Sequence, residues 1–113
     1  MSENEKKHLF DILNSIREIQ EYTTGISTIE DYLKNRMVMR AVERMLGIIG
    51  EATNRLEKES NTPLLSNARN ITGLRNRVIH AYDHVDNQII WEIIQVRLPE
   101  LKQEIEEILK NEL

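Results

Sequence analysis

Apolar residues recur three or four positions apart along most of the chain, which is the spacing that places them on one side of a helix. Residues 7–21 carry the first such stripe, and Gly25 beyond it suits a helix C-terminal stop. Ser27 or Thr28 is placed to cap the next helix, since either hydroxyl can accept a backbone N–H. The apolar residues of this first stripe are Leu9, Ile12, Leu13, Ile16 and Ile19.

The proline-free segment 28–58 follows, and apolar positions cover a wide face of its second half. Such a wide face predicts a central position in a helical bundle. Gly47 and Gly50 lie three residues apart there, which would permit a close helix crossing or a dimer seam. The methionines of this segment, Met37, Met39 and Met45, are interpreted as packing residues.

The second half of the chain continues the helical pattern after one clear interruption. Pro63 and its polar neighbours indicate a loop, and Pro99 suits the first position of a last helix. We therefore predict an all-α fold, a four- to five-helix up-and-down bundle formed by a single domain over residues 1–113. The elements predicted here are a loop at 58–67, a third helix at 65–82, a turn at 83–87 and a helix pair at 88–98 and 99–113.

Composition agrees with a helical protein and excludes several classes of site. Four glycines and two prolines in 113 residues favour helices over a turn-rich β fold, and the absence of cysteine excludes disulfides and thiolate metal sites. No apolar run approaches the roughly 20 residues that span a bilayer, and the first residues lack a signal-peptide pattern. We therefore expect a cytoplasmic protein without a membrane partner.

Charge is distributed unevenly along the chain. The formal net charge is −4, yet residues 61–82 contain Arg69, Arg75 and Arg77 and no acidic residue. The net charge argues against broad nucleic-acid binding, whereas the local cationic window is what a small anion-binding site would look like. A window of this length also arises by chance, so the charge alone does not identify a site.

The sequence "GLRNRVIHAYDHVD" (73–86) concentrates arginine, histidine and tyrosine within that region. On a helix with about 100° per residue, Arg77, His80 and His84 fall on one line, while Arg75 and His80 differ by about 140°. The simplest interpretation is a solvated helix face. The histidine pair also has i,i+4 zinc spacing, but no third ligand is well placed, and we expect no metal site.

A chemical interpretation follows from what metal-free RNA cleavage requires. A base with a pKa near neutrality must take the proton of the 2′-hydroxyl, and a permanent cation must stabilise the crowded phosphorane. His80 and Arg75 satisfy these two requirements by residue type. Their angular separation would close if arginine's reach spans it, or if a symmetric dimer supplies one residue from each copy.

At this point the sequence resembles a known family. "RNRVIHAY" is similar to the Arg-x4-His-x-Tyr motif of HepT-like proteins, the DUF86 branch of the HEPN superfamily, with Arg75, His80 and Tyr82 at the motif positions. Asn76 fits the polar residue that follows the arginine. The resemblance extends over most of the chain, because "ERMLGIIGEATNRL" and "IIWEIIQVRLPELKQEIEEIL" are similar to the family's central helix and C-terminal helices.

The resemblance implies a toxin of a toxin–antitoxin pair. HepT-like proteins are helical homodimers and metal-independent ribonucleases without a cofactor, with the arginine and histidine in a cleft at the dimer interface. By this resemblance Arg75, His80 and Asn76 are catalytic, and the partner antitoxin is a minimal nucleotidyltransferase that attaches AMP to Tyr82. The candidates for contacting the RNA substrate are Arg77, Arg69 and His84.

Two alternatives stay open from the sequence. The chain could instead be a non-catalytic helical partner, the substrate or scaffold of the nucleotidyltransferase, for which Tyr82 matters and His80 does not. A plain structural bundle would need neither residue. Glu51 is a candidate support that orients Arg75 or Arg77, although an exposed pair with Arg55 explains it equally well.

Overall fold

The computed structural model describes residues 1–60, 65 and 86–112, and in these ranges the chain is helical without a strand. The all-α prediction is therefore confirmed for the described residues, none of whose helices is long and apolar enough to cross a membrane. The predicted third helix at 65–82 lies outside the described residues except for Leu65. The helices are α1 (Glu3–Tyr22), α2 (Ile29–Leu33), α3 (Arg36–Glu59), α4 (Asn87–Glu92) and α5 (Leu98–Asn111), with a π-helical segment Ile93–Arg97 joining the last two.

Helix α1 begins earlier than the apolar stripe predicts, because Ser2 caps it. The Ser2 side chain accepts the N–H of Glu5, and the Glu5 carboxylate accepts the N–H of Ser2, which is a complete capping box. At the other end, Gly25 has a φ of 84°, the left-handed conformation that glycine adopts readily. Thr28, and not Ser27, caps α2 by accepting the N–H of Asp31.

The proline-free segment 28–58 forms two helices. The Asn35 side chain accepts the N–H of Val38 and starts α3, so the short α2 ends at Leu33. This break changes which residues face outward: Met37 in the first turn of α3 is 83% exposed. The packing prediction is wrong for Met37, while Met45 is buried and Met39 packs partly buried against the core.

The helix pair predicted at 88–98 and 99–113 is also corrected, because α4, the π-helical segment and α5 form one continuous helical run. Pro99 lies in the first turn of α5, yet the chain does not break before it. The N–H of Leu98 reaches back five residues to the carbonyl of Ile93. A proline has no N–H to donate and its ring crowds the preceding turn, so a local widening of the helix here accommodates it.

The core lies between α1, α3 and the C-terminal run, with α1 packed mainly on α3 and α5 against α1. All five residues of the α1 stripe are buried, as the periodicity predicts. The Tyr32 ring of α2 contacts the Trp91 ring of α4, with centroids 5.5 Å apart, and so links the short helix to the C-terminal run. Leu65 is buried in the same core.

Candidate functional site

Residues 61–85 contain the Arg-x4-His-x-Tyr pattern and are called the motif segment below. They lie between Ser60, which follows α3, and Asp86, which precedes α4. Most residues predicted for the site fall between these points and outside the described residues. Their roles therefore stay predictions from the sequence. They are Arg69, Arg75, Asn76, Arg77, His80, Tyr82 and His84.

Glu51 is the one predicted site residue that the structure describes. Its side chain is 61% exposed, and its carboxylate accepts a hydrogen bond from Arg55 at 2.7 Å. The carboxylate is therefore not on a buried side of α3, as the support role supposed. The structure favours the alternative, an exposed i,i+4 ion pair.

Two side-chain contacts join α1 to Glu59 and Ser60, the last residues before the motif segment. The imidazole Nε2 of His8, a buried residue, lies 2.9 Å from Oε2 of Glu59 at the end of α3. The Ser60 hydroxyl donates to Oε2 of Glu5 at 2.8 Å. Hydrogen bonds from the Ser2 backbone and from the Ser60 hydroxyl lower the pKa of the Glu5 carboxyl. The chain thus leaves α3 from a position fixed by α1.

Asp86, the first described residue after the motif segment, lies at the start of α4. The Asp86 carboxylate accepts the N–H groups of Gln88 and Ile89 at 3.1 and 3.3 Å and so caps α4. The predicted turn at 83–87 is wrong for Asn87, which is already helical; Asp86 is the cap, and 83–85 lie outside the described residues. Asn87 follows as the first residue of α4 and faces the first turns of α3.

A cavity of about 340 Å³ lies at this junction of α3 and α4. Two of the residues around it carry guanidinium groups, one carries a carboxylate and one carries an amide. Among the described residues, none makes an ion pair with either guanidinium. The described residues that line the cavity are Arg36, Met39, Arg40, Glu43 and Asn87.

Two buried side-chain polar atoms, one in α2 and one in α4, have no hydrogen-bond partner in the described part of the chain. One is Oδ1 of Asn87, which belongs to the cavity wall, and the other is the hydroxyl of Tyr32, a fully buried residue. Burial, together with the negative charge of Glu43, raises the pKa of Tyr32, so this hydroxyl stays protonated.

A second, larger depression of about 740 Å³ lies between α1 and α5. Phe10 contributes an apolar wall that is 47% exposed, while Arg17 and Lys102 bring charge to the same groove. Lys102 also donates to the side-chain oxygen of Gln20 at 3.2 Å, which joins the two helices across its floor. This groove lies on other elements than the α3–α4 cavity.

In the described ranges, no three His, Asp or Glu side chains lie close enough together to hold a metal ion. The cavity arginines were missed by the sequence reasoning, which concentrated on 61–82. A signal was present: Arg36 and Arg40 are spaced i,i+4 at the start of a helix whose first turn holds no acid.

Comparison with known proteins finds the family described as "Ribonuclease HepT-like", which matches residues 12–108. This range includes positions 75–82 and both ends of the motif segment. The match therefore covers the helices around the α3–α4 cavity as well as the motif itself.

Individual relatives are similar over nearly their full length. "Putative RNase TTE0752" of Caldanaerobacter subterraneus subsp. tengcongensis is 38% identical over 112 residues, covering 95% of this chain and 96% of that protein. "Putative RNase MJ1380" of Methanocaldococcus jannaschii is 36% identical, covering 89% and 93%. "Probable ribonuclease HepT" of Thermococcus cleftensis is 33% identical, covering 97% and 100%. No solved structure matches the chain.

Proposed function

Because this chain belongs to the HepT-like family, we propose that it is an RNA-cleaving toxin of a toxin–antitoxin pair. The observation that carries the proposal is the family match over residues 12–108, within which the complete Arg-x4-His-x-Tyr pattern occurs. Relatives named as ribonucleases match 95% and 97% of this chain, which supports the proposal.

The proposed reaction is transfer of the RNA phosphate to the neighbouring ribose oxygen. His80 takes the proton of the 2′-hydroxyl, the 2′-oxygen bonds to phosphorus, and the bond from phosphorus to the 5′-oxygen breaks. The leaving 5′-oxygen receives a proton, and the products are a 2′,3′-cyclic phosphate and a 5′-hydroxyl. Arg75 neutralises charge that develops on the phosphorane oxygens, and Asn76 supports it with a hydrogen bond.

A homodimer is part of the proposal, because Arg75 and His80 differ by about 140° on one ideal helix. A two-fold axis beside the motif would place Arg75 of one copy opposite His80 of the other. Two copies of His80 then share one cleft, so that one accepts a proton while the other donates one. Arg77, Arg69 and His84 are proposed to contact the RNA backbone.

Regulation by a minimal nucleotidyltransferase is the last part of the proposal. Transfer of AMP from ATP to the Tyr82 hydroxyl forms a phosphodiester and releases pyrophosphate. The modification adds a negative charge and a nucleoside two residues beyond His80. Both changes oppose the approach of an RNA phosphate, so the modified toxin is expected to be inactive.

The test compares His80→Ala with the unchanged protein in an RNA cleavage assay that contains EDTA. We expect cleavage in EDTA, products ending in cyclic phosphate, and a loss of kcat of about 100-fold or more in the variant, the usual contribution of a general base. His84→Ala is the matched control and should change KM more than kcat. Loss of activity in EDTA, or equal cleavage by His80→Ala, would remove this mechanism.

A second measurement separates the toxin from a non-catalytic partner of the nucleotidyltransferase. The intact mass after incubation with that enzyme and ATP reports addition of AMP, and Tyr82→Phe should prevent it. If Tyr82 is modified while the unmodified protein cleaves no RNA, the non-catalytic alternative is correct.

A further inference from the structure

The groove between α1 and α5 has an apolar centre that is open to solvent. Phe10 of α1 is 47% exposed, and Leu109 of α5, which is half-buried, lines the same groove. Leu13, a third apolar residue of the wall, belongs to the buried core. A half-exposed aromatic ring in a concave surface leaves apolar area in water, and a partner that covers it removes this cost.

The two helices that form the groove are joined near both ends. Lys102 near the start of α5 donates to Gln20 near the end of α1 at 3.2 Å. At the opposite ends of the helices, the amino group of Met1 lies 3.7 Å from Oε2 of Glu112. The helices therefore run antiparallel, and the groove is formed before a partner arrives. A surface that is already in place loses little conformational entropy on binding.

Charges of both signs alternate along the groove wall of α5. Lys102, Glu106 and Lys110 follow one another at steps of four residues and so lie along one side of the helix. Arg17 and Glu107 add one charge of each sign to the same groove. A partner that carries only one sign of charge would meet like charges in this groove.

A second copy of the chain has the pattern of charge that this groove requires. A two-fold axis that passes midway between positions 106 and 110 brings a second α5 alongside the first in the antiparallel direction. It places Glu106 of each copy opposite Lys110 of the other, and the contact therefore contains the same ion pair twice. The groove is in this sense complementary to itself.

The size of this face indicates a weak contact. The 14 residues of α5 extend about 21 Å, and two helices side by side are about 20 Å wide, so the face measures on the order of 400 Å². A standard interface buries about 800 Å² on each partner. We therefore expect reversible association with a dissociation constant of about micromolar size or weaker.

We propose that the α1–α5 groove packs against the same groove of a second copy. Phe10 and Leu109 lie at the centre of this contact, and the two reciprocal pairs of Glu106 and Lys110 flank it. The contact uses α1 and α5, whereas the dimer proposed for RNA cleavage has its two-fold axis beside the motif. The groove therefore adds a second contact between copies, and the two contacts together build assemblies larger than a dimer.

Sedimentation velocity of the full-length protein, from micromolar to submillimolar concentration, measures the association. Glu106→Lys and Lys110→Glu each place like charges opposite one another twice, so we expect either variant to weaken association about tenfold or more. The double variant Glu106→Lys with Lys110→Glu exchanges both charges and should restore it. Phe10→Ser removes the apolar centre and should prevent association. Lys7→Glu, on an exposed position of α1 that is not among the described groove residues, is the control.

Three results would overturn the inference: a size that does not grow beyond a dimer, growth that Phe10→Ser and Glu106→Lys leave unchanged, or no recovery in the double variant. Circular dichroism of each variant confirms that the helices are intact.

RNA cleavage by the same variants keeps this proposal distinct from the proposed function. Groove variants that remain dimeric and cleave RNA normally support the second contact. Groove variants that become monomeric and inactive would overturn it, because the groove would then be the contact of the cleaving dimer itself. Groove-dependent association of a protein that cleaves no RNA would support the groove and remove the ribonuclease.

Discussion

The contact between His8 and Glu59 should be worth several times more than the contact between Glu51 and Arg55, although the donor–acceptor distances are similar. The two contacts measure 2.9 and 2.7 Å. The His8 side chain is only 8% exposed, whereas both partners of the second contact are more than half exposed. We therefore expect the burial of the side chains, and not the donor–acceptor distance, to determine how much each contact contributes to the free energy of unfolding.

The magnitudes follow from the two environments. Glu59→Ala leaves a buried imidazole nitrogen without its partner, which costs about 1–3 kcal/mol, and the partial exposure of Glu59 places the expectation at about 1–2 kcal/mol. Glu51→Ala removes an exposed i,i+4 pair worth about 0.2–0.5 kcal/mol. Glu59 is the last residue of α3, where removing a carboxylate also relieves repulsion from the helix dipole, so the contact has to be isolated by a double-mutant cycle.

The assay is equilibrium unfolding in urea, followed by circular dichroism. A double-mutant cycle that adds His8→Ala isolates the coupling, which we expect to be about 1 kcal/mol between His8 and Glu59. A free energy of unfolding that falls equally in Glu59→Ala and Glu51→Ala would refute the reasoning. So would a coupling near zero, because the contact would then not constrain the end of α3.

Two further predictions concern helix starts. Asn35→Ala should lower the free energy of unfolding by about 0.5–2 kcal/mol, because the N–H of Val38 loses its cap, and Asn35→Ser should restore most of it; equal stability of all three proteins in urea would contradict this. The pKa of Glu5 should lie below its ordinary value of 4.5 and rise in Ser60→Ala. This stabilising contribution is present above the unfolded pKa and is lost as pH falls through the folded one, which NMR titration of the carboxyl checks.

The spacing of apolar residues predicted the buried helix faces well, because the residues that face the core of a helical bundle recur every three or four positions. The α1 stripe and Met45 follow that repeat and are buried. Met37 does not, since its exposure depends on the break at Asn35, where an amide side chain starts a new helix. One hydrogen bond, from the N–H of Val38 to the Asn35 side chain, starts a new helix here instead of continuing the previous one. The spacing of apolar residues gives no information about that hydrogen bond.

The C-terminal run shows a second limit of local reasoning. A proline usually marks a helix start, so Pro99 indicated two helices. The π-helical segment before it allows the backbone to continue, because Leu98 bonds five residues back. A tertiary environment that buries Ile94, Leu98 and Leu101 favours this continuous path over a turn. The sequence contains the proline, but the packing that outweighs it is distributed over other helices.

Some residues with candidate chemistry could be found from the sequence, and others only from the fold. Resemblance to the HepT-like family selected Arg75, His80 and Tyr82, whereas helical spacing alone grouped Arg77, His80 and His84. The α3–α4 cavity joins Arg36 and Arg40 to Asn87, which lies 47 residues after Arg40 in the sequence. Only the packing of α4 beside α3 brings that amide to the arginines.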